Sequence, residues 1–283
     1  MNDYAISVRN LVKEFNGFKL GPLNLTIPRG CIVGYIGQNG AGKSTTIKLL
    51  LGLVKRTSGD LEVLGNTNPE DIDIKDRLGV VFDNLLMPEE MNSSDVDKFC
   101  TRIYSKWEKK KYHELLKRFD IPKDKPIKSY SRGMRMKLSI AIALAHNAEL
   151  LFLDEATSGL DPVVREDILD ILMEYIQDEN HTVLISSHIL SDLEKIADYI
   201  AFIYRGKILF FEAKDDLKDN YVLCNISDEE SKLFAEDAIV GRRKHAFGQE
   251  ILVKRDKVPR DIDFRRPSIE DIMIYFVKGM ERK

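Results

Sequence analysis

The most informative segment of the chain reads Cys31-Ile-Val-Gly-Tyr-Ile36 and then Gly37-Gln-Asn-Gly-Ala-Gly-Lys43-Ser44-Thr45. The first six residues form a short apolar run typical of a buried strand, and apolar residues at helical spacing follow the glycines. A glycine-rich loop ending in Lys-Ser between a strand and a helix matches the phosphate-binding loop pattern in full. An ordinary glycine-rich turn is the alternative interpretation.

The residue types in this loop suit a nucleoside triphosphate. Glycines allow backbone N–H groups to close around phosphate oxygens, and the next helix directs its N-terminal dipole at the anion. The ammonium group of Lys43 can reach the β- and γ-phosphates, while the hydroxyl of Ser44 can ligate Mg²⁺. We therefore expect a nucleoside triphosphate and Mg²⁺ to bind here.

Two acids follow a second apolar strand, Leu150-Leu-Phe-Leu153. Asp154 suits an outer contact to Mg²⁺ through water, and Glu155 is placed to polarise a water molecule for attack on the γ-phosphate. Solvated loop acids or a helix cap are the alternative. The phosphate-binding loop upstream favours the catalytic interpretation.

A histidine follows a third apolar run, Thr182-Val-Leu-Ile-Ser-Ser187. His188 therefore occupies the same topological position as Glu155, at the carboxyl end of a strand, where open α/β sheets place ligands. We expect it to hydrogen-bond the γ-phosphate and the attacking water and to stabilise charge in the transition state. A lone histidine is more often a satisfied surface or core residue.

Composition restricts the class of protein. The chain has 283 residues, 43% of them hydrophobic, and a net charge of -3, so a substantial core is expected and nucleic acid is not an expected partner. Cys31, Cys100 and Cys224 match neither a disulfide framework nor a metal site, which fits a reducing cytosol. The N-terminus lacks a signal-peptide layout, and no apolar run approaches the roughly 20 residues that span a bilayer. Membrane attachment would need another polypeptide.

The alternation of strands and helices predicts an α/β sheet of mainly parallel strands. Alternating residues over Ile6 to Phe15 and Leu23 to Ile27, with a turn at Asn16-Gly17, predict an N-terminal antiparallel β-layer. A helical subdomain is expected at about 92–147, where Val96, Phe99, Ile103 and Trp107 have helical spacing and Ser93 or Ser94 could be the N-cap. We assign 1–219 to one domain and 220–283 to a small C-terminal extension.

In their order, these motifs resemble an ABC-type ATPase over about residues 4–215. Tyr130-Ser-Arg-Gly-Met134 stands where that family has its signature Leu-Ser-Gly-Gly-Gln, Ser158-Gly-Leu-Asp161 matches its D-loop, and His188 its switch histidine. The resemblance implies a P-loop NTPase (RecA-like) core with the N-terminal antiparallel β-layer, the inserted helical subdomain and the C-terminal extension.

The resemblance also implies roles for individual residues. Glu155 and His188 would be catalytic, and Ser131 and Gly133 would act on the ATP site of a second ATP-binding subunit, identical or different, with Asp161 in the D-loop. Phe15 resembles the aromatic residue that stacks on adenine, with a core aromatic as the alternative. The residues expected to contact ATP are Phe15, Gly37, Gln38, Asn39, Gly40, Ala41, Gly42, Lys43, Ser44 and Thr45, and those expected at the metal are Ser44, Asp154 and Asp83.

The similarity extends to exporters that pair a separate ATP-binding chain with a separate transmembrane permease, including antibiotic-resistance and lantibiotic-immunity types. The closing Arg266-Pro-Ser-Ile-Glu-Asp-Ile-Met273 is similar to the end of that group's C-terminal extension. ATP hydrolysis at the inner face of the cell membrane, driving export, is the implied function. A soluble ABC ATPase acting on the ribosome or DNA, a non-hydrolytic regulatory subunit, and an importer are alternatives.

The chain departs from the family pattern at several positions. Arg132 and Met134 replace the first Gly and the Gln of the signature, and Ala156 replaces a common Pro. Asp83 ends Leu78-Gly-Val-Val-Phe-Asp83 where Gln is usual, so it could ligate Mg²⁺ but would add a negative charge beside the phosphates. A cap of the local turn is the alternative role for Asp83.

Overall fold

The computed structural model describes residues 3–245 and 248–281, so residues 1–2, 246–247 and 282–283 of the two predicted domains lie outside the described residues. The strands are β1 Tyr4–Phe15, β2 Phe18–Pro28, β3 Ile32–Ile36, β4 Ser58–Val63, β5 Leu78–Val81, β6 Leu150–Asp154, β7 Thr182–Ser186, β8 Tyr199–Tyr204, β9 Lys207–Ala213, β10 Tyr221–Ile226, β11 Ile239–His245 and β12 Gly248–Lys254. The helices are α1 Lys43–Leu50, α2 Ile72–Lys75, α3 Ser93–Ile103, α4 Lys109–Arg118, α5 Arg132–Ala145, α6 Pro162–Tyr175, α7 Leu190–Ile196, α8 Lys214–Asn220 and α9 Ile269–Met280.

The central sheet has the strand order β5-β6-β7-β3-β8-β9. Strands β5 to β8 pair in parallel and β9 pairs antiparallel with β8, which confirms the predicted α/β class. Strands β3, β6 and β7 are buried along their full length, because apolar cores cover both faces of the sheet. These three strands are neighbours, so their carboxyl ends meet at one edge.

An antiparallel sheet with the order β2-β1-β4 covers one face of the central sheet. Strands β1 and β2 form a hairpin whose turn is at Asn16-Gly17, as predicted, and Gly17 has the positive φ of 85° that such a turn requires. Residues of this layer and of β3, including Ile6, Val33 and Tyr35, share one core. The layer therefore packs against the face of β3 that is opposite the helical insert.

The helical insert does not continue the predicted helical spacing as far as Trp107, because two separate helices form instead. Helix α3 ends at Ile103, and α4 starts only at Lys109, because Trp107 folds back to donate its indole N–H to Asp97 at 2.8 Å. Phe99 and Ile103 are consequently exposed, whereas the buried side chains of α3 and α4 include Val96, Cys100, Tyr112, Leu115 and Leu116. The N-cap of α3 is Asn92 in a capping box with Asp95, and neither Ser93 nor Ser94 fills that role.

The C-terminal sheet has the order β10-β12-β11, and helix α9 packs on β11. The predicted boundary at 219/220 falls inside the last turn of α8 and stays a prediction. Ser268 caps α9, and the N–H of Ile269 donates to Glu194 of α7 at 2.6 Å, so this helix contacts the element that follows β7. No helix within 3–245 and 248–281 is long and apolar enough to cross a bilayer.

Candidate active site

A cavity of about 510 Å³ lies where the carboxyl ends of β3, β6 and β7 meet. It brings together the loop after β3, the acid after β6 and the histidine after β7, three segments far apart in the sequence. The lining residues are Phe18, Gln38, Asn39, Gly40, Gly42, Lys43, Ser44, Thr45, Glu155, Ser158 and His188.

The loop before α1 depends on its glycines. Gly42 has a φ of 113°, and a Cβ there would lie 2.5 Å from a methyl carbon of Leu20. A Cβ on Gly37 would lie 2.4 Å from the carbonyl oxygen of Ile203. These positions therefore exclude side chains. The first residues of α1 line the cavity, and a helix N-terminus at such a position is suited to binding an anion.

Lys43 is 6% exposed, and its ammonium group contacts polar and charged groups of the site. Its Nζ donates to the carbonyl oxygen of Gly37 at 2.8 Å and lies 3.3 Å from Oε1 of Glu155. A buried ammonium group needs such partners because burial without them is costly. The structure thus places a cation on the floor of the cavity, directly beside the candidate catalytic carboxylate.

Asp154 lies at the end of β6 and is 8% exposed. Its Oδ1 accepts a hydrogen bond from Ser44 Oγ at 3.1 Å and another from Ser186 Oγ at 2.6 Å. A serine hydroxyl beside a carboxylate is a partial donor set for a hard cation such as Mg²⁺, which keeps several water or phosphate ligands. Within the described residues there is no group of three or more His, Cys, Asp or Glu side chains that could hold a metal alone.

Glu155 has a φ of 55°, a conformation that non-glycine residues seldom adopt. Its backbone N–H is directed at the carbonyl oxygen and the hydroxyl of Ser186, each at 3.1 Å, which anchors the turn to β7. Nδ1 of His188 donates to Oε2 of Glu155 at 2.6 Å. The carboxylate is thereby fixed between Lys43 on one side and His188 on the other.

The aromatic residue at the cavity is Phe18, whereas the sequence indicated Phe15. Phe15 is 45% exposed, pairs with Phe18 across the β1–β2 hairpin, and has Lys13 Nζ 5.1 Å from its ring centroid. Ser158 was named from the sequence only as part of the D-loop motif, and Phe18 was not selected at all. The signal for Phe18 was its position directly opposite Phe15 after the Gly17 turn. Of the expected ATP contacts, Gly37 and Ala41 are also absent from the lining, and Ala41 is buried.

Asp83 lies in a different cleft, which it lines together with Asn84, Leu85, Arg132, Arg135 and Met136. Asp83 is therefore not among the residues that line the cavity with Ser44, and its role at a metal stays a prediction. The cleft does supply the basic neighbours that a carboxylate at this position needs, since two of its lining residues are arginines.

The signature segment also lies apart from the lining of the Lys43 cavity. Ser131 caps α5 by accepting from the N–H of Met134 at 3.2 Å, and Gly133 faces Val164 of α6. A guanidinium nitrogen of Arg132 lies 2.7 Å from where a Cβ on Gly159 would be. The D-loop residue Asp161 caps α6 through the N–H of Val164 at 3.0 Å.

Known proteins are similar to this chain in sequence and in fold. The family model described as ABC transporter matches residues 20–158. Bacitracin transport ATP-binding protein BcrA of Bacillus licheniformis is 34% identical over 231 residues, which cover 79% of this chain and 76% of that protein. Lantibiotic transport ATP-binding protein SrtF of Streptococcus pyogenes is 36% identical over 223 residues, covering 78% of this chain and 96% of that protein.

Among solved structures, one described as the ATP binding subunit of an ABC transporter superposes with a TM-score of 0.69 at 24% identity. The superposition covers 76% of this chain and 92% of that chain. At this level of identity the likeness concerns the fold alone.

Proposed function

Because this chain belongs to the ABC transporter family of ATP-binding proteins, we propose that it hydrolyses ATP to power export through a separate transmembrane permease. The observation that carries the catalytic part is the convergence of Lys43, Glu155 and His188 on one cavity, with Nδ1 of His188 2.6 Å from the Glu155 carboxylate. Similarity to ATP-binding proteins of bacitracin and lantibiotic transport supports the export part.

In this proposal, Lys43 exchanges the Gly37 carbonyl and Glu155 for the β- and γ-phosphate oxygens of ATP. Glu155, which is then no longer paired with Lys43, orients a water molecule for in-line attack on the γ-phosphate and accepts a proton from that water. His188 keeps the carboxylate in place through Nδ1 and directs its other ring nitrogen towards the phosphate. The exchange explains why the lysine and the acid lie within 3.3 Å of each other.

We further propose that Ser44, which lines the cavity, and Asp154 hold Mg²⁺, since Oγ of Ser44 and Oδ1 of Asp154 already lie 3.1 Å apart. When bound, the ion would neutralise charge on the phosphate oxygens. Ser186 also donates to Asp154, which fixes that carboxylate for the contact. The adenine is proposed to stack on the aromatic tip of the β1–β2 hairpin, where Phe15 is exposed and Phe18 lines the cavity.

A second ATP-binding subunit completes the site in this proposal. Ser131 and Gly133 lie at the N-terminus of α5, outside the lining of the Lys43 cavity, so they are positioned to serve a neighbouring subunit. Asp161 would lie in the D-loop between the two subunits.

With Mg-ATP, the hydrolysis-deficient variant Glu155→Gln is expected to form a dimer, because the sandwiched nucleotide is no longer removed. Ser131→Arg in the same background should remain monomeric, since the larger side chain blocks approach to the partner's phosphates. Ser129→Arg, at an exposed position two residues earlier, is the matched control and should dimerise. Light scattering coupled to size exclusion measures the state. A Glu155→Gln protein that stays monomeric at saturating Mg-ATP would contradict a homodimer and favour a different ATP-binding partner.

The permease is proposed to dock on the segment after β5, which places the chain at the inner face of the membrane without a span of its own. Leu86 is 76% exposed there, whereas Leu85 and Met87 are half-buried against the core. A large exposed apolar side chain beside buried neighbours is a feature of contact surfaces.

Leu86→Asp is expected to release the protein from membranes that contain its permease while leaving ATP hydrolysis by the purified protein within about twofold, because a surface substitution away from the cavity seldom perturbs the fold. Ile72→Asp is the matched control, since Ile72 is 79% exposed on α2. This variant protein should remain bound to the membranes. Sedimentation of native membranes measures retention. Equal retention of both variants would exclude Leu86 from the contact.

A further inference from the structure

Asp192 of α7 is a buried acid that the proposed hydrolysis does not use. Its side chain is 3% exposed, and Oδ1 lies 3.4 Å from Nε of Arg165 on α6. Its other oxygen, Oδ2, has no hydrogen-bond partner among the described residues. Burial raises the pKa of this carboxyl above its ordinary value, against the opposing effect of Arg165.

Thr157 faces the same carboxyl from the segment after β6. It is 1% exposed, and its hydroxyl oxygen also has no hydrogen-bond partner among the described residues. The hydroxyl is nevertheless close enough to lower the pKa of Asp192 and so to favour the charged carboxylate. A donor and an acceptor, both buried and both unsatisfied, thus lie beside each other.

The two residues connect the segments that carry the candidate catalytic pair. Thr157 comes two residues after Glu155, and Asp192 comes four residues after His188. The side chains of Glu155 and His188 form the 2.6 Å hydrogen bond on the cavity side. A contact between Thr157 and Asp192 would therefore join the same two segments a second time, behind that bond.

Stability alone does not account for this arrangement. A buried carboxylate with one long ion-pair contact and an unpaired hydroxyl beside it is less stable than apolar side chains of similar shape. Helices α6 and α7 already share a second ion pair on the surface, Lys195 with Glu166 at 2.6 Å. The buried pair is thus not needed to hold the helices together.

We propose that Thr157 and Asp192 are positioning residues, which close a hydrogen bond during turnover and thereby set the orientation of Glu155 and His188 at the γ-phosphate. The inference rests on the proposed ATP hydrolysis and adds to it a buried pair of positioning residues outside the cavity. Because a small misplacement of catalytic groups has a large effect on rate, the pair acts on kcat and leaves nucleotide affinity unchanged.

Thr157→Val removes the hydroxyl at constant shape and is expected to lower kcat by about 10- to 100-fold with KM for ATP unchanged. Its melting temperature should equal or exceed that of the wild type, since an unsatisfied buried group is removed. Thr157→Ser restores the hydroxyl and should restore kcat. Glu166→Gln, which breaks the surface ion pair, is the control for a simple loosening of α6 against α7 and should leave kcat unchanged.

Asp192→Leu tests the other partner, and its loss of kcat should not add to that of Thr157→Val, because either change removes the same hydrogen bond. Wild-type kcat in Thr157→Val overturns the proposal, as does a fall in kcat that tracks a fall in melting temperature or that Thr157→Ser fails to restore. A wild-type protein that does not hydrolyse Mg-ATP would overturn the proposed function itself. A hydrolysing wild type with an unaffected Thr157→Val variant overturns the positioning pair alone.

Discussion

Glu155→Gln is expected to lower the rate of ATP hydrolysis by about 10²- to 10⁴-fold, the range that a general base contributes. The amide has the shape of the carboxylate but cannot accept the proton of the attacking water. Affinity for Mg-ATP should be retained or increased, because Lys43, now 3.3 Å from Oε1 of Glu155, loses a competitor for the phosphates.

Steady-state phosphate release and equilibrium titration with a fluorescent ATP analogue measure the two effects separately. Glu179→Gln is the control, since Glu179 is an exposed acid between α6 and β7. This variant should hydrolyse ATP at the wild-type rate. A Glu155→Gln protein that hydrolyses ATP as fast as the wild type would remove Glu155 from the chemistry, and the acid would then be assigned to anchoring His188.

The site was predictable from the sequence to the extent that it depends on local pattern and on sheet topology. The loop before Lys43 carries its own pattern, and parallel strands bring Glu155 and His188 to the same edge whatever connects them. Neither feature depends on the details of side-chain packing. The convergence of the three segments on one cavity therefore followed from strand assignment alone.

Features that depend on nonlocal contacts were missed or misplaced. The break between α3 and α4 follows from the bond between Trp107 and Asp97, which the helical spacing of apolar residues does not reveal. The sequence also gave no indication of a partnership between Thr157 and Asp192, because each is an ordinary polar residue until burial and neighbours are known. Asp83 lines a separate cleft together with two arginines, so its assignment to the metal, which was made from its position in a motif, stays a prediction.

Lys43→Ala is expected to weaken ATP binding by about 100-fold. A hydrogen bond to a charged group contributes about 1.5–3 kcal/mol, and each 1.4 kcal/mol is about tenfold in affinity. The substitution has a second effect, because it leaves Glu155 without the cation that lies 3.3 Å away. An uncompensated carboxylate beside the triphosphate repels it, and this repulsion adds to the loss of the lysine contact.

These two effects are separable, since the double variant Lys43→Ala, Glu155→Gln lacks both the cation and the uncompensated carboxylate. It should bind ATP more tightly than Lys43→Ala alone, and the difference measures the repulsion. Lys48→Ala is the matched control, because Lys48 is an exposed lysine on the same helix α1. This variant should bind ATP with the affinity of the wild type. Titration of each folded variant with ATP decides the matter. Affinity of Lys43→Ala within threefold of the wild type would mean that Lys43 serves the Gly37 carbonyl and Glu155 alone and makes no contact with phosphate.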